Sequence, residues 1–376
     1  MNGGIITDYS ELKLKMKEVK SEMTPSERMK KYLAGEEVDH IPYGLISFYE
    51  ALSEIYGYTT SQLNSDFNIF AEIIERARED FGLEGVNIGL RLRAMGAAMG
   101  STLNYPEHGI DRIEEHILQD YNDWDKMVEI DPYNNRVLTP MLEKAAKVRE
   151  RFPDMSISTG VAGPISTAIA IRPIEKVLRD TRKNPEKLKE LIALAVDNSL
   201  KWVEAFTKEF GPGIVSISDP VTCTDILSLK QFEEFSFPEL KRLILGIKEI
   251  TGLKPSLHIC GHTKGIWDYL KGLEISSFSV DNCEDLGETS ETLGDTMTIV
   301  GNVPPVEILR NGTIDDVIES VKECIQKAAK SPKGYIISSG CQVPLGTPKE
   351  NLEAYVYAVR TYGRNAKIGE MPLGMM

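Results

Sequence analysis

The stretch Lys254-Pro255-Ser256-Leu257-His258-Ile259-Cys260-Gly261-His262 decides how the chain is read. Its core alternates apolar and chemical side chains, the period of a β-strand, so Leu257 and Ile259 share one face while His258 and Cys260 share the other. Gly261 then lets the backbone turn close to whatever that second face holds. Upstream, Leu229 to Thr251 carries apolar residues at helical spacing, and before it Gly213-Ile214-Val215-Ser216-Ile217-Ser218 is another short apolar run. Strand, helix and strand in that order make a βα unit.

The same alternation continues in both directions. Towards the N-terminus the runs are Ile41 to Ile46, Gly85 to Leu90 and Ser156 to Gly160; towards the C-terminus they are Ser277 to Val280, Thr296 to Val300 and Gly334 to Ser338. Helical patterns separate them, clearest over Pro185 to Phe210, Thr313 to Ala329 and Pro348 to Tyr362. Eight strands alternating with helices predict an α/β fold, a (β/α)8 TIM barrel, with a doubly wound open sheet as the competitor. Residues 1–37 read as an N-terminal helical arm, in which Thr24-Pro25-Ser26-Glu27 supplies an N-cap, a first-turn proline and an early acid. Packing is its simplest role, with a subunit contact in a homodimer as the other. Residues 38–376 are expected to form one barrel domain. Between Met99 and Leu118, two short extended pieces flank Pro106 and Gly109 and read as a β-hairpin excursion after the second strand.

Composition narrows the function. A 41% hydrophobic chain of 376 residues has the material for a large core. With 43 Lys plus Arg against 57 Asp plus Glu, the formal charge is −14, which speaks against nucleic-acid and anionic-membrane partners. No apolar run nears the length of a membrane span, and Met1 to Asp8 has no export-signal pattern. Five cysteines in a chain of this length suit a reduced, cytoplasmic setting, where cysteines near histidines suggest metal.

In a parallel barrel, reactive groups gather where strands end. Here those ends carry Asp219, His258 with Cys260, Asp281 with Cys283, Asn302, and Cys341. An imidazole and a thiolate on one strand face suit zinc, and Cys341, 81 positions after Cys260, is the expected third ligand, with Cys283 as its rival. Three protein ligands and one open position are the pattern of a catalytic zinc site. Asp219 and Asp281, at the ends of strands flanking His258, are candidate catalytic or orienting carboxylates, against a helix-capping role. Tyr43, Phe48, Tyr49, His262 and Asn302 are expected to line the substrate pocket. Arg91 and Arg93 are placed to meet an anion or to be solvated. Cys324 reads as core and Cys223 as pocket wall.

At these residues the sequence resembles the uroporphyrinogen decarboxylase superfamily, and within it the zinc methyltransferases typified by methylcobalamin:coenzyme M methyltransferases. The likeness runs from Met23-Thr24-Pro25-Ser26-Glu27-Arg28 and Val38-Asp39-His40-Ile41-Pro42, through Leu257-His258-Ile259-Cys260-Gly261 and Gly301-Asn302-Val303, to Ser338-Ser339-Gly340-Cys341 and Thr347-Pro348-Lys349-Glu350-Asn351-Leu352. The resemblance implies a (β/α)8 barrel whose zinc is held by the H-x-C pair and the later cysteine, hence His258, Cys260 and Cys341. Position 262, often Asn in the relatives, is His here. The metal-free decarboxylase-like lyases are the alternative, but their arginine-bearing segment after the first strand is replaced by Tyr43-Gly44-Leu45-Ile46-Ser47-Phe48-Tyr49-Glu50, without arginine.

The resemblance further implies methyl transfer between a corrinoid and a small molecule. That molecule is a thiol such as coenzyme M, activated as a zinc thiolate, or a methoxylated aromatic undergoing O-demethylation. Corrinoid carriers show D-x-H-x-x-G, and the nearest match, Ser256-Leu257-His258-Ile259-Cys260-Gly261, lacks the Asp and spends its His on zinc. The cobalamin is therefore expected on a separate corrinoid-binding protein.

Overall fold

The computed structural model describes residues 8–82 and 85–376, so the stretch read for an export signal lies outside it except for Asp8. The described chain divides into two compact units. One comprises residues up to Glu84 with Glu107–Gly109 and Ser277–Met376, the other Gly85–Pro106 with Ile110–Ser276. Among the described residues, no helix is long and apolar enough to cross a membrane.

In the second unit, four extended segments lie side by side in chain order, all parallel. Gly85–Asn87 pairs with Ser156–Ser158, and the ladder continues as Ile88 and Leu90 donate to the carbonyls of Ser158 and Gly160. Gly160–Ala162 pairs with Ser216–Ser218, which pairs with Ser256–Ile259 in the register Ser218↔His258. The longest helix, Pro185–Phe210, buries Leu188, Leu191, Ile192, Ala195, Val196, Ser199, Trp202, Val203 and Phe206, a stripe at three- and four-residue spacing. Trp202 donates from its indole nitrogen to the Thr159 hydroxyl at 2.9 Å, fixing that helix against the strand. The expected hairpin is present: Thr102–Asn104 runs antiparallel to Arg112–Glu115, with a register shift at Thr102/Leu103.

In the first unit, Ser277–Val280, Thr298–Val303 and Tyr335–Ser339 are parallel neighbours. The expected strand over Ile41 to Ile46 is reduced to a single parallel bridge, Tyr43↔Ile337. Pro42 has no N–H to extend that ladder, and Ser47, at φ 44°, ends the run. An unforeseen strand, Val38–His40, instead pairs antiparallel with Arg364–Ala366. Helices Ile314–Ala328 and Lys349–Tyr362 occupy the expected stretches, the first opened by a Thr313/Asp316 capping box. In the arm, Thr24 caps helix Pro25–Leu33 by accepting from the Glu27 N–H, as its sequence predicts, and a separate helix forms over Tyr9–Met16.

Candidate functional site

The strand Ser256–Ile259 carries His258, with Cys260 directly after its end, in the second unit. Leu257 and Ile259 are buried, whereas His258 and Cys260 are half-buried on the other face, as the two-residue period requires. His258 Nε2 lies 3.0 Å from Cys260 Sγ. Two donors of this kind, so close and on one face, fit a borderline-soft divalent metal such as zinc. Gly261 follows at φ +79°, where an added Cβ would lie 2.7 Å from Asp225 Oδ2 and 3.0 Å from Cys223 Sγ. Glycine is thus required twice, for its backbone conformation and for space.

His262 is exposed, and its ring is engaged: Nδ1 lies 2.9 Å from Asp225 Oδ1, and its backbone N–H donates to Asp225 Oδ2 at 2.8 Å. Cys223 is buried behind Gly261, and burial pushes its thiol pKa up. Asp219 is fully buried; Oδ1 accepts from the Ser166 N–H and hydroxyl, and Oδ2 accepts from Thr222. Burial raises its carboxyl pKa despite these bonds. Ser166 lies in the first turn of helix Pro164–Ile171, so Asp219 supplies from another strand the side-chain cap that Gly163 lacks. Arg91 is exposed and adopts φ 50°, and Arg93 reaches Asp111 at 3.6 Å.

In the first unit, Cys341 follows strand Tyr335–Ser339 and is half-buried. A Cβ on Gly340 would fall 2.6 Å from the Asn282 nitrogen, so only glycine lets these two strand ends approach. Asn302 is buried, and its amide donates to the carbonyls of Asp281 and Glu284 at 3.1 and 3.0 Å. It braces the loop that carries Asp281, whose Oδ1 accepts from the Cys283 N–H at 3.0 Å. Cys283 is exposed; Cys324 is core, its thiol pushed up by burial to about 11. The Tyr43 hydroxyl donates to the Phe81 carbonyl and accepts from Arg360, which makes it part of the packing between elements. Phe48 is buried and stacks on half-buried Tyr49 at a centroid distance of 4.7 Å.

Sequence reasoning missed Asp225, Thr224 and Ser166. Asp225 and Thr224 lie in a loop without periodicity, and only Asp219-Pro220 ahead of them marked that loop. It also missed a cavity of about 290 Å³ in the second unit, walled by Ile113, Ile169 and Val221 with Arg93, Arg112 and His116 among its polar members. Those residues come from four separate segments, and nothing in one sequence announces their convergence.

Residues 24–362 match the family model for uroporphyrinogen decarboxylase (URO-D), and the chain belongs to that family. It is similar to the methylated-thiol–coenzyme M methyltransferase of Methanosarcina mazei, 27% identical over 349 residues and 90% of each chain. It is likewise similar to a methylcobamide:CoM methyltransferase of Methanosarcina barkeri, 24% identical over 349 residues, 91% of this chain and 99% of that one. Among solved structures, a methyltransferase from Methanosarcina mazei superposes with a TM-score of 0.75 at 24% identity, covering 90% of this chain and 98% of that one, which establishes a shared fold.

Proposed function

We propose that this chain is a zinc-dependent methyltransferase that moves a methyl group between a corrinoid held by a separate protein and a small thiol. The observation that carries the reading is the 3.0 Å approach of His258 Nε2 and Cys260 Sγ on one strand face, closed by a glycine turn. Cys341 is proposed as the third ligand; each of the three residues offers one ligand atom, an imidazole nitrogen or a sulfur. Family membership and the printed activities of the methanogen relatives support this choice. The two sets of parallel segments are proposed to form one (β/α)8 barrel, in keeping with the shared fold.

When bound, zinc supplies a Lewis acid that stabilises a coordinated thiolate at neutral pH. The remaining work falls to this chain's own residues. His258 and Cys260 hold fixed donor positions because Leu257 and Ile259 anchor their strand from behind. Asp219 acts as a positioning residue, pinning helix Pro164–Ile171 beside the strand that pairs with His258's own. Asp281 is proposed to face substrate, its loop braced by Asn302. Phe48 and Tyr49 are proposed as an apolar wall that excludes water. The decarboxylase-like alternative has weaker support: a uroporphyrinogen decarboxylase of Rickettsia canadensis matches 65% of this chain against 90% for the coenzyme M methyltransferase, and residues 43–50 hold no arginine for a polycarboxylate.

The test is a methyl-transfer assay with zinc-loaded protein, offering thiols as acceptors to methyl-Co(III) corrinoid and aryl methyl ethers as donors to Co(I) corrinoid, followed by cobalt absorption. A thiol-dependent conversion of methyl-Co(III) to Co(I) is expected. No change with any partner in either direction contradicts the reading.

A further inference from the structure

We propose that Thr224 and Asp225 form a clamp that positions Cys260 for metal binding, an inference that rests on the metal-centre reading above. The turn after Cys260 is gripped by the neighbouring loop at the His262 carbonyl, N–H and ring. The Thr224 N–H and hydroxyl both donate to the His262 carbonyl, at 2.9 and 2.8 Å. In return the His262 N–H donates to Asp225 Oδ2 at 2.8 Å, and Nδ1 donates to Asp225 Oδ1 at 2.9 Å. Four hydrogen bonds thus tie two residues to one, a reciprocal arrangement that leaves the Gly261-His262 backbone no second course.

The clamp is itself rooted. Ile226 and Leu227 donate back to the Cys223 carbonyl, folding the loop into a tight turn. One step earlier, the Thr222 hydroxyl bonds Asp219 at 2.8 Å and meets Ser236 at 2.8 Å in the core. On the far side, Thr263 is buried and its hydroxyl accepts from the Trp267 indole at 3.0 Å. Cys260 is the last residue before this braced turn, so the direction of its Cα–Cβ bond is set by the turn as much as by the strand. The clamp also orients His262, whose Nδ1 is held by Asp225. Groups that orient metal ligands are worth about 10- to 100-fold in affinity when removed.

Side chains of Asp225 and His262 are 50% and 57% exposed, so replacing them opens no hole in the core. The test is competition for Zn²⁺ against a chromophoric chelator on the full chain, with the thiolate-to-cobalt absorption of the Co²⁺-substituted protein as the spectroscopic readout. Asp225→Ala is expected to weaken zinc by about 10- to 100-fold and to alter the cobalt band. Thr224→Val is expected to do the same more weakly, and Thr224→Ser to restore wild-type behaviour. Metal-free unfolding curves should stay close to wild type throughout, which separates positioning from general loss of structure. Zinc affinity unchanged in Asp225→Ala, or Thr224→Ser as impaired as Thr224→Val, overturns the clamp. Wild-type protein that takes up no zinc overturns the metal-centre reading itself and the clamp with it.

Discussion

Asp219 and Ser166, 53 positions apart, are joined twice: the buried carboxylate accepts the Ser166 N–H at 2.9 Å and its hydroxyl at 2.6 Å. Gly163 makes this possible, since a Cβ there would lie 2.3 Å from Asp219 Cβ and Cγ. A helix start on one βα-loop is therefore locked to the end of the next strand, and that strand pairs with the one bearing His258. The lock is a property of the sequence Gly163-Pro164-Ile165-Ser166 together with a distant Asp, and neither half stabilises the arrangement alone.

Removing this lock should cost stability. Asp219→Ala leaves the Ser166 and Thr222 donors buried without their acceptor, for a loss on the order of 3 kcal/mol. Asp219→Asn keeps one acceptor and should cost less. Gly163→Ala forces the backbone apart and should cost about 1–3 kcal/mol. Urea unfolding followed by circular dichroism measures all three; equal stability of Asp219→Ala and wild type contradicts the assignment.

The second expectation concerns pH. His40 is buried; Nδ1 donates to the Ile41 carbonyl at 3.0 Å and Nε2 accepts from the Ser21 hydroxyl at 2.9 Å, so the ring is held neutral. Burial, helped by the nearby Arg28 charge, lowers its pKa from 6.5 to about 4. The unfolded chain therefore takes up a proton below pH 6.5 that the folded chain refuses until about pH 4. Stability from this group is full above the unfolded pKa and is lost as pH falls through that window, by roughly 3 kcal/mol in all. His40→Gln should flatten this part of the stability profile. A variant profile parallel to wild type between those limits would show that His40 is not the titrating group.

Arg28 and Asp39 form a buried ion pair at 2.6 Å in the same neighbourhood, and Arg28 also donates to the Met23 carbonyl. Burial alone would raise the Asp39 carboxyl, but the Arg28 bonds and the neighbouring charges outweigh it and hold that group well below the usual carboxylate range. Arg28→Ala leaves a buried, uncompensated charge and should destabilise by about 3–5 kcal/mol. Arg28→Ala combined with Asp39→Asn should recover part of that loss. A double variant no more stable than Arg28→Ala, measured by the same urea curves, would rule out coupling between the two.

The five cysteines should fall into three reactivity classes. Cys283 is exposed and should alkylate first; Cys324, buried with its thiol near 11, should resist until unfolding, as should buried Cys223. Half-buried Cys260 and Cys341 should be protected in zinc-loaded protein and gain label together once a chelator is added. Peptide mass spectrometry reads each site, and labelling of that pair indifferent to chelator speaks against their ligating metal.

Much of this molecule is legible in the sequence because it follows from period and punctuation. Helix Pro185–Phe210 has the predicted ends, and the strand through His258 puts the expected pair on one face. The run over Ile41 to Ile46 reads as a strand from its apolar content, but Pro42 deprives it of a donor, and only one bridge forms. Asp219 was marked by its place at a strand end, whereas its partner Ser166 sits in a different βα-loop. The hold of Asp225 on His262 was illegible for the same reason: it is a tertiary contact between two loops, and loop conformation leaves no periodic trace in the chain.

X-ray absorption at the zinc edge of the purified, zinc-loaded chain tests the metal centre most directly. The prediction is a shell of two sulfurs at about 2.3 Å with nitrogen or oxygen at about 2.0 Å, falling to one sulfur in Cys341→Ser. A shell with no sulfur, or two sulfurs still present in Cys341→Ser, contradicts it.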